Sequence, residues 1–409
     1  MVKSSCVICN AKSSYSFNLG SIPISNQYSN SKKCEKYLLK IDYCNQCKLL
    51  FNSHPPEAKK MFHSKYPYNI SLSSSFKKYS YLAAKELNDN FLKDKKNPFV
   101  IEIGSSDGSH LEFYKNKKIN HLGIEPTTNN HKIAVNNHIN SLNIFFNSNN
   151  AKIISQKFGK ADLIVSFNVI AHINNVDKTF KNIKKILKKN SGVFIFENIY
   201  LDNLLKTLSF DQLYDEHIYT FSVTSINSLC KKHNLNLFDV KKTNIQGGSM
   251  RYYITNNLNK KKLAKVKLLL NKEKKIDNDL IKNFFKESII KINQIFHILK
   301  NLVNKNHVIA GYGASAKSVL VLNMLNIDRK VIKFFFDNSQ NKINNCLPGT
   351  DIKIFSEKNI NQFKFDYIIL FAWNHFDEIY NKNKNKISKN IKWIIPNLKN
   401  KFIKIINNK

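Results

Sequence analysis

Short apolar runs, each closed by a glycine or an acid, alternate with stretches of helical period along most of this chain. Val100, Ile101 and Ile103 form one such run, which Gly104 ends. Ser105 to Gly108 then turn the chain into a helix expected from about Ser109. The next run, His121 to Ile124, stops at Glu125. Ala161 to Val165 and Gly192 to Phe196 repeat the pattern, the second ending at Glu197, with a helix expected over 177–187 between them. Runs this short and continuously apolar read as strands buried on both faces of a parallel sheet. Upstream, Tyr79, Leu82, Ala83, Glu86 and Leu87 share helical spacing, which predicts a helix over 76–92. Downstream, Phe284, Phe285, Ile289, Ile292, Ile295, Phe296 and Leu299 do the same and predict one long bridging helix within 259–305. The first theme then returns. His307 to Ala310 leads to Gly311 and Gly313, a helix carries Val319, Leu320 and Leu322, and the run from Lys330 to Phe336 closes on Asp337. A further strand is expected over Tyr367 to Phe371. The fold class is α/β, with two units of strand, glycine turn, helix, strand and acid.

Glycine lets backbone approach a ligand, and an acid ending the second strand can hold two ribose hydroxyls. The spacing Glu102, Gly104, Gly108 is not the dinucleotide fingerprint. It resembles the form in S-adenosylmethionine-dependent methyltransferases, whose ligand has no pyrophosphate to place. An ordinary tight turn is the bland alternative. In open α/β sheets, ligands lie outside the carboxyl ends of the strands. Glu102, Gly104, Asp107, Gly108, Glu125, Phe167 and Asn168 fall at such ends and are the candidate cofactor residues. His172, just past the strand that ends near Phe167, is expected to face substrate, and Glu197 also lies at a strand's carboxyl end. The second glycine unit holds another nucleotide or lines the substrate cleft; both readings stand.

The N-terminal segment carries different chemistry. Cys6 and Cys9 form one C-x-x-C pair, Cys44 and Cys47 another, with 34 residues between the pairs. Two such pairs complete a four-sulfur tetrahedron with no open position, so structural Zn2+ is expected. Cys34 is an alternative ligand without a paired partner, and Cys230 and Cys346 stand alone.

Composition changes the picture less than it first suggests. The formal charge is +36 over 409 residues, but Arg251 and Arg329 are the only arginines. Lysine, asparagine and isoleucine are abundant throughout, whereas nucleic-acid sites concentrate arginine and aromatics on one face. No specific nucleic-acid partner is expected, although anionic substrates would be favoured. No run is long enough to span a membrane, and MVKSSCVIC lacks the apolar core of a signal peptide. A cytoplasmic monomer with reduced cysteines is expected.

Four further segments hold side chains suited to acid–base work, to anion contact or to lining a cleft. Tyr66 to Ser75 is either a solvated connector or a flap bringing phenols to a substrate. Tyr214, Glu216, His217 and Tyr219 lie within six residues. His217 can act as a base near neutral pH, oriented by a neighbouring carboxylate. Arg251, after Gly247 and Gly248, is a candidate anion contact. Ala372 to Phe376, at the end of the last strand, points into a cleft.

Together YPYNISLSSS, EIGSSDG, GIEP, FNVIAHI, YDEHIYTFS, GGSMR, GYGASAK, LPGTDI, FAWNHF and the two cysteine pairs resemble the nucleotide-sugar C-methyltransferases that build branched deoxysugars. The resemblance covers nearly the whole chain, in the family's order. It implies a zinc-binding domain with substrate flap over 1–75, an S-adenosylmethionine-binding methyltransferase domain over 76–258, a linking helix over 259–305 and a Rossmann-like domain over 306–409. It also implies methylation of a ring carbon next to a ketone in a nucleotide-linked keto-deoxysugar. His217 maps to the base, Glu216 and Tyr214 stand beside it, and His172 maps to a second active-site histidine. A substrate-facing tyrosine maps to Tyr66 or Tyr68. Arg251, Gly313, Lys317 and Asn374 are implied substrate contacts. Ser318 departs from the glycine that many relatives carry after the lysine of GYGASAK. Rival readings are an RNA-modifying methyltransferase with a zinc-binding domain and a non-catalytic binding protein.

Overall fold

The computed structural model describes residues 4–396 and 404–408. Near the N-terminus, β1 (Tyr15–Pro23), β2 (Lys36–Cys44) and β3 (Leu49–Asn52) form an antiparallel meander. The central unit follows, with β4 (Phe99–Ile103), β5 (Asn120–Ile124), β6 (Ser141–Leu142), β7 (Leu163–Phe167) and β8 (Val193–Ile199) all parallel. The chain then leaves this sheet. Its next strand, β9 (Tyr219–Thr220), pairs with β3 and completes the N-terminal sheet in the order β1-β2-β3-β9. It returns with β10 (Asn236–Thr243) and β11 (Ser249–Thr255), an antiparallel hairpin on the β8 edge. The seven strands run β10-β11-β8-β7-β4-β5-β6, so the order reverses between β4 and β7.

Burial on both faces explains the unbroken apolar runs: in β4 only Phe99 is not fully buried, and β8 is buried throughout. The helix expected near Ser109 begins at Leu111, because Asp107 accepts from the Ser109 N–H and holds that residue in the turn. Upstream, Ser74–Phe91 is helical, and the Ser73 hydroxyl accepts from the Phe76 N–H as its cap.

The long bridging helix expected within 259–305 is two helices, Ala264–Glu273 and Asn278–Asn304. The first ends at Glu273, and Asp277 starts the second, its carboxylate accepting from the Leu280 N–H. The longer helix buries Phe284, Phe285, Ile292, Ile295 and Leu299 against both the N-terminal sheet and the last unit, and Phe285 stacks on Phe17 at 4.3 Å. That unit contains β12 (Ile309–Tyr312), β13 (Phe334–Asp337), β14 (Ile354–Ser356), β15 (Tyr367–Leu370), β16 (Lys392–Ile395) and β17 (Lys404–Asn407). They are ordered β14-β13-β12-β15-β16-β17, parallel except for the last pair. Among the described residues no helix is long and apolar enough to cross a membrane.

Candidate active site

A cavity of about 770 Å³ opens where β4 and β5 end, and the loop before β9 forms its opposite wall. Gly104, Ser106, Glu125, Phe167 and Asn168 line the sheet side. Gly104 sits at φ +73°, and an added Cβ there would strike the Val169 side chain. Asn168 is also left-handed, at φ +56°, which brings the chain round into the His172 turn. Glu125 accepts from the Ser106 N–H at 2.8 Å and from the Thr127 N–H and hydroxyl at 2.8 and 2.5 Å. Burial raises its pKa, and the Thr127 bonds work against the rise. Ser106 Oγ and Asn168 Oδ1 are buried without a partner. An acid with spare acceptor capacity, beside two unsatisfied polar atoms at a strand-order reversal, fits an adenosyl ligand.

Other cofactor candidates stand behind this wall. Glu102 is buried, with one oxygen unpartnered, and desolvation, then Asp107 and Glu125, raise its pKa well above normal. Asp107 accepts from the Ser71 N–H and ties down the flap. Gly108 leaves room for Ile139.

The opposite wall carries His217. Its Nδ1 bonds the Gln212 carbonyl at 2.7 Å, so Nδ1 bears the hydrogen and Nε2 the lone pair. The Tyr214 hydroxyl lies 3.0 Å from Nε2 and donates to it. Burial lowers the pKa of His217 to about 4, with Lys317 acting in the same direction. The ring is therefore neutral at pH 7, and its basicity is not that of the free side chain expected from sequence. The expectation that Glu216 orients this ring is also corrected. The Gln212 carbonyl does so, whereas Glu216 turns away and accepts from Asn26 and, at 2.8 Å, from the Tyr66 hydroxyl. His172 stands 5.1 Å from the His217 ring and stacks on Phe62, its Nε2 buried and unpartnered. Burial, then the neighbouring imidazole, holds it well below the ordinary histidine value.

Tyr66 and Tyr68 both reach the cavity. Asn129 and Asn130 pin their segment by donating to the two tyrosine carbonyls, and Ser339 of the last unit donates to the carbonyl of Pro67 between them. The segment is thus a held flap and not a solvated connector.

Arg251 does not line the cavity. Its guanidinium is buried, donating to Glu197 at 3.0 Å, Glu86 at 3.2 Å and Tyr79 at 2.7 Å. The expected substrate contact is corrected on that ground, and Glu197 is engaged by the same cluster. From the second glycine unit, Ser315 and Ala316 line the cavity, not Gly313 or Lys317. Gly313 packs on Ala372, and Lys317 is buried 3.8 Å from Asp211 and over the Trp373 ring. Asn374 lies in the turn Trp373–His375, and its side chain is outside the described residues.

The sulfurs of Cys6, Cys9, Cys44 and Cys47 all lie within 4.8 Å of one another, with Cys9 and Cys44 3.6 Å apart. A tetrahedron with zinc–sulfur arms of about 2.3 Å has edges of about 3.8 Å, so the set fits Zn2+. Cys34 is not among them.

Ser25, Asn26, Phe62, Gln212 and Lys342 also belong to this site and carry no motif. Their only signal is spatial; Asn26 and Glu216 are 190 residues apart in sequence.

Residues 76–240 match the model of a methyltransferase domain, and residues 244–397 that of the C-methyltransferase C-terminal domain. The C-methyltransferase NovU of Streptomyces niveus is 26% identical over 301 residues, 73% of this chain and 71% of that protein. The PH0226 protein of Pyrococcus horikoshii OT3 has a TM-score of 0.37 at 16% identity, covering 46% of this chain and 95% of that one. Magnesium protoporphyrin IX methyltransferase from Synechocystis PCC 6803, with bound S-adenosylmethionine, has a TM-score of 0.33 at 9% identity, covering 44% and 78%. Likenesses this low carry no weight on function. The two adjoining family matches and the curated relative do: the chain is an S-adenosylmethionine-dependent methyltransferase whose last part matches a C-methyltransferase C-terminal domain.

Proposed function

We propose that this enzyme methylates a ring carbon next to the ketone of a nucleotide-linked keto-deoxysugar, through an enolate. One observation carries the reading: a single cavity has the Gly104–Glu125 edge on one wall and, on the other, a neutral imidazole whose Nε2 lone pair is held by the Tyr214 hydroxyl. When bound, S-adenosylmethionine supplies an electrophilic methyl group; Glu125, Asn168 and the Gly104 turn would hold it. Carbon next to a ketone becomes nucleophilic only after losing a proton. His217 Nε2 takes that proton, and the Gln212 carbonyl stabilises the ring as it becomes cationic. Tyr214 gives up its bond to Nε2 and donates to the developing enolate oxygen, with His172 beside it. Tyr66 and Tyr68 close the sugar side, and holding both reactants on one cavity contributes several kcal/mol through positioning. Cys6, Cys9, Cys44 and Cys47 would hold zinc in a closed, structural site.

An RNA substrate is disfavoured because both arginines are already paired, Arg251 with Glu197 and Arg329 with Asp351. The test is His217→Asn assayed with methyl-13C S-adenosylmethionine and a nucleotide-linked keto-deoxysugar. The variant should bind S-adenosylhomocysteine as the wild type does and lose turnover. Full turnover in His217→Asn would remove His217 as the base.

A further inference from the structure

The carbonyl that fixes the His217 tautomer belongs to a single turn of helix, Phe210–Gln212. The last carbonyls of a helix have no partner within it, so that of Gln212 is open to the Nδ1 hydrogen. A lone turn of helix does not hold its own shape in water. Side chains of the last unit hold this one. The Trp373 indole N–H donates to Asp211 Oδ2 at 2.6 Å, and Asp211 is the residue before Gln212. Lys317 stands 3.8 Å from the same oxygen and 4.6 Å over the Trp373 ring. Asp211 Oδ1 is buried without a partner, so this carboxylate depends on what reaches Oδ2. The edge of the indole packs on Gly247, where an added Cβ would lie 3.2 Å from it. The carbonyl of the neighbouring Gln246 accepts from Gln212 Nε2 at 3.1 Å. Neither Trp373 nor Asp211 lines the cavity. The other side of the loop is held separately, by Ser25 on Asp215 and Asn26 on Glu216.

We propose that Trp373 is a positioning residue for His217, acting through Asp211. The indole fixes the carboxylate, the carboxylate fixes the turn, and the turn aims the Gln212 carbonyl at Nδ1. The imidazole is left with its lone pair on Nε2, within reach of Tyr214 and on the cavity wall. The hydrogen bond at one ring nitrogen decides which nitrogen stays bare, and a carbonyl that drifts by about an ångström no longer makes that choice. Trp373 and Lys317, neither of which reaches the cavity, thus act on it from behind the base. The arrangement also gives Gly247 a reason of its own, since any side chain there would press on the indole. The catalytic consequence rests on the proposed reaction, but the placement of the ring does not.

The test is nitrogen-15 NMR of the zinc-loaded, full-length enzyme carrying ring-labelled histidine, at pH 7 and without substrate. His217 is assigned as the pair of signals lost in His217→Asn. In the wild type Nδ1 should resonate as a nitrogen bearing hydrogen and Nε2 as a bare one. Trp373→Phe keeps an aromatic ring and removes the donor, so His217 should report a mixture of tautomers. With S-adenosylmethionine and a nucleotide-linked keto-deoxysugar, its kcat should fall about 10- to 100-fold while KM for the sugar stays within about twofold. Trp393→Phe makes the same change in the buried core of the same unit and should move neither reading. Asp211→Ala, which removes the acceptor, should reproduce Trp373→Phe and serves if that variant does not fold. A single Nδ1–H tautomer in both variants, or an equal loss of it in Trp393→Phe, would overturn the assignment. The tautomer is read without substrate, so this outcome is separate from that of the sugar reading.

Discussion

Replacing Gly104 by alanine tests the cofactor wall through a single methyl group. The residue sits at φ +73°, where a side chain costs about 1–2 kcal/mol. The new Cβ would lie 2.7 Å from Val169 Cγ1 and closer still to Cγ2, well inside van der Waals contact. Forcing a methyl into packed surroundings costs typically about 1–3 kcal/mol. The two effects together predict about 2–5 kcal/mol of lost stability, read by urea unfolding at neutral pH. Val169 follows Asn168 directly, and Ser106 donates to Glu125, so any backbone relief distorts the ligand wall. Affinity for S-adenosylhomocysteine, measured calorimetrically, should fall at least about tenfold, or about 1.4 kcal/mol. Adding Val169→Ala should recover the packing share and leave the backbone share. Wild-type stability and affinity in Gly104→Ala would refute the reasoning at both steps.

Three further outcomes are expected. The folded protein should carry zinc by elemental analysis; Cys44→Ser should lose it and expose the amides of 49–52 and 218–220 to hydrogen exchange, because β3 emerges from the cysteine site and pairs with β9. Full zinc content in that variant would exclude the four-sulfur site. His217 titrates at about 4 when folded and near 6.5 when unfolded, so its stabilising share is complete above 6.5 and lost as pH falls toward 4. Between pH 7.5 and 5 the wild type should lose about 2 kcal/mol that His217→Asn does not lose, measured as the difference between their urea unfolding free energies. Tyr66→Phe, which removes a buried donor to Glu216, should cost about 1–3 kcal/mol in unfolding, whereas Tyr68→Phe, 43% exposed, should stay within about 0.5 kcal/mol.

Local signals were readable in the chain. Buried strands leave apolar runs, and Gly104 and Glu125 stop theirs within a few residues. The paired cysteines announce their cluster by spacing. What escaped depends on register and on backbone atoms. Arg251 looked available because arginine is rare here, yet strand pairing sets it opposite Glu197 and spends its charge there. The group that orients His217 is a main-chain carbonyl, which no residue type marks. Ser25 and Asn26 reach the acids only because β9 crosses to the N-terminal sheet, a connection two residues long without a pattern of its own. The break over 274–277 was hidden by an apolar period that continues almost in phase on either side.

The central claim is that His217 makes carbon nucleophilic before any methyl moves. Proton NMR in D2O can follow the hydrogens beside the ketone of a nucleotide-linked keto-deoxysugar, with S-adenosylhomocysteine occupying the donor site. The wild type should exchange one of them for deuterium while His217→Asn leaves it in place. Exchange at equal rates in both, or in neither, would contradict the account.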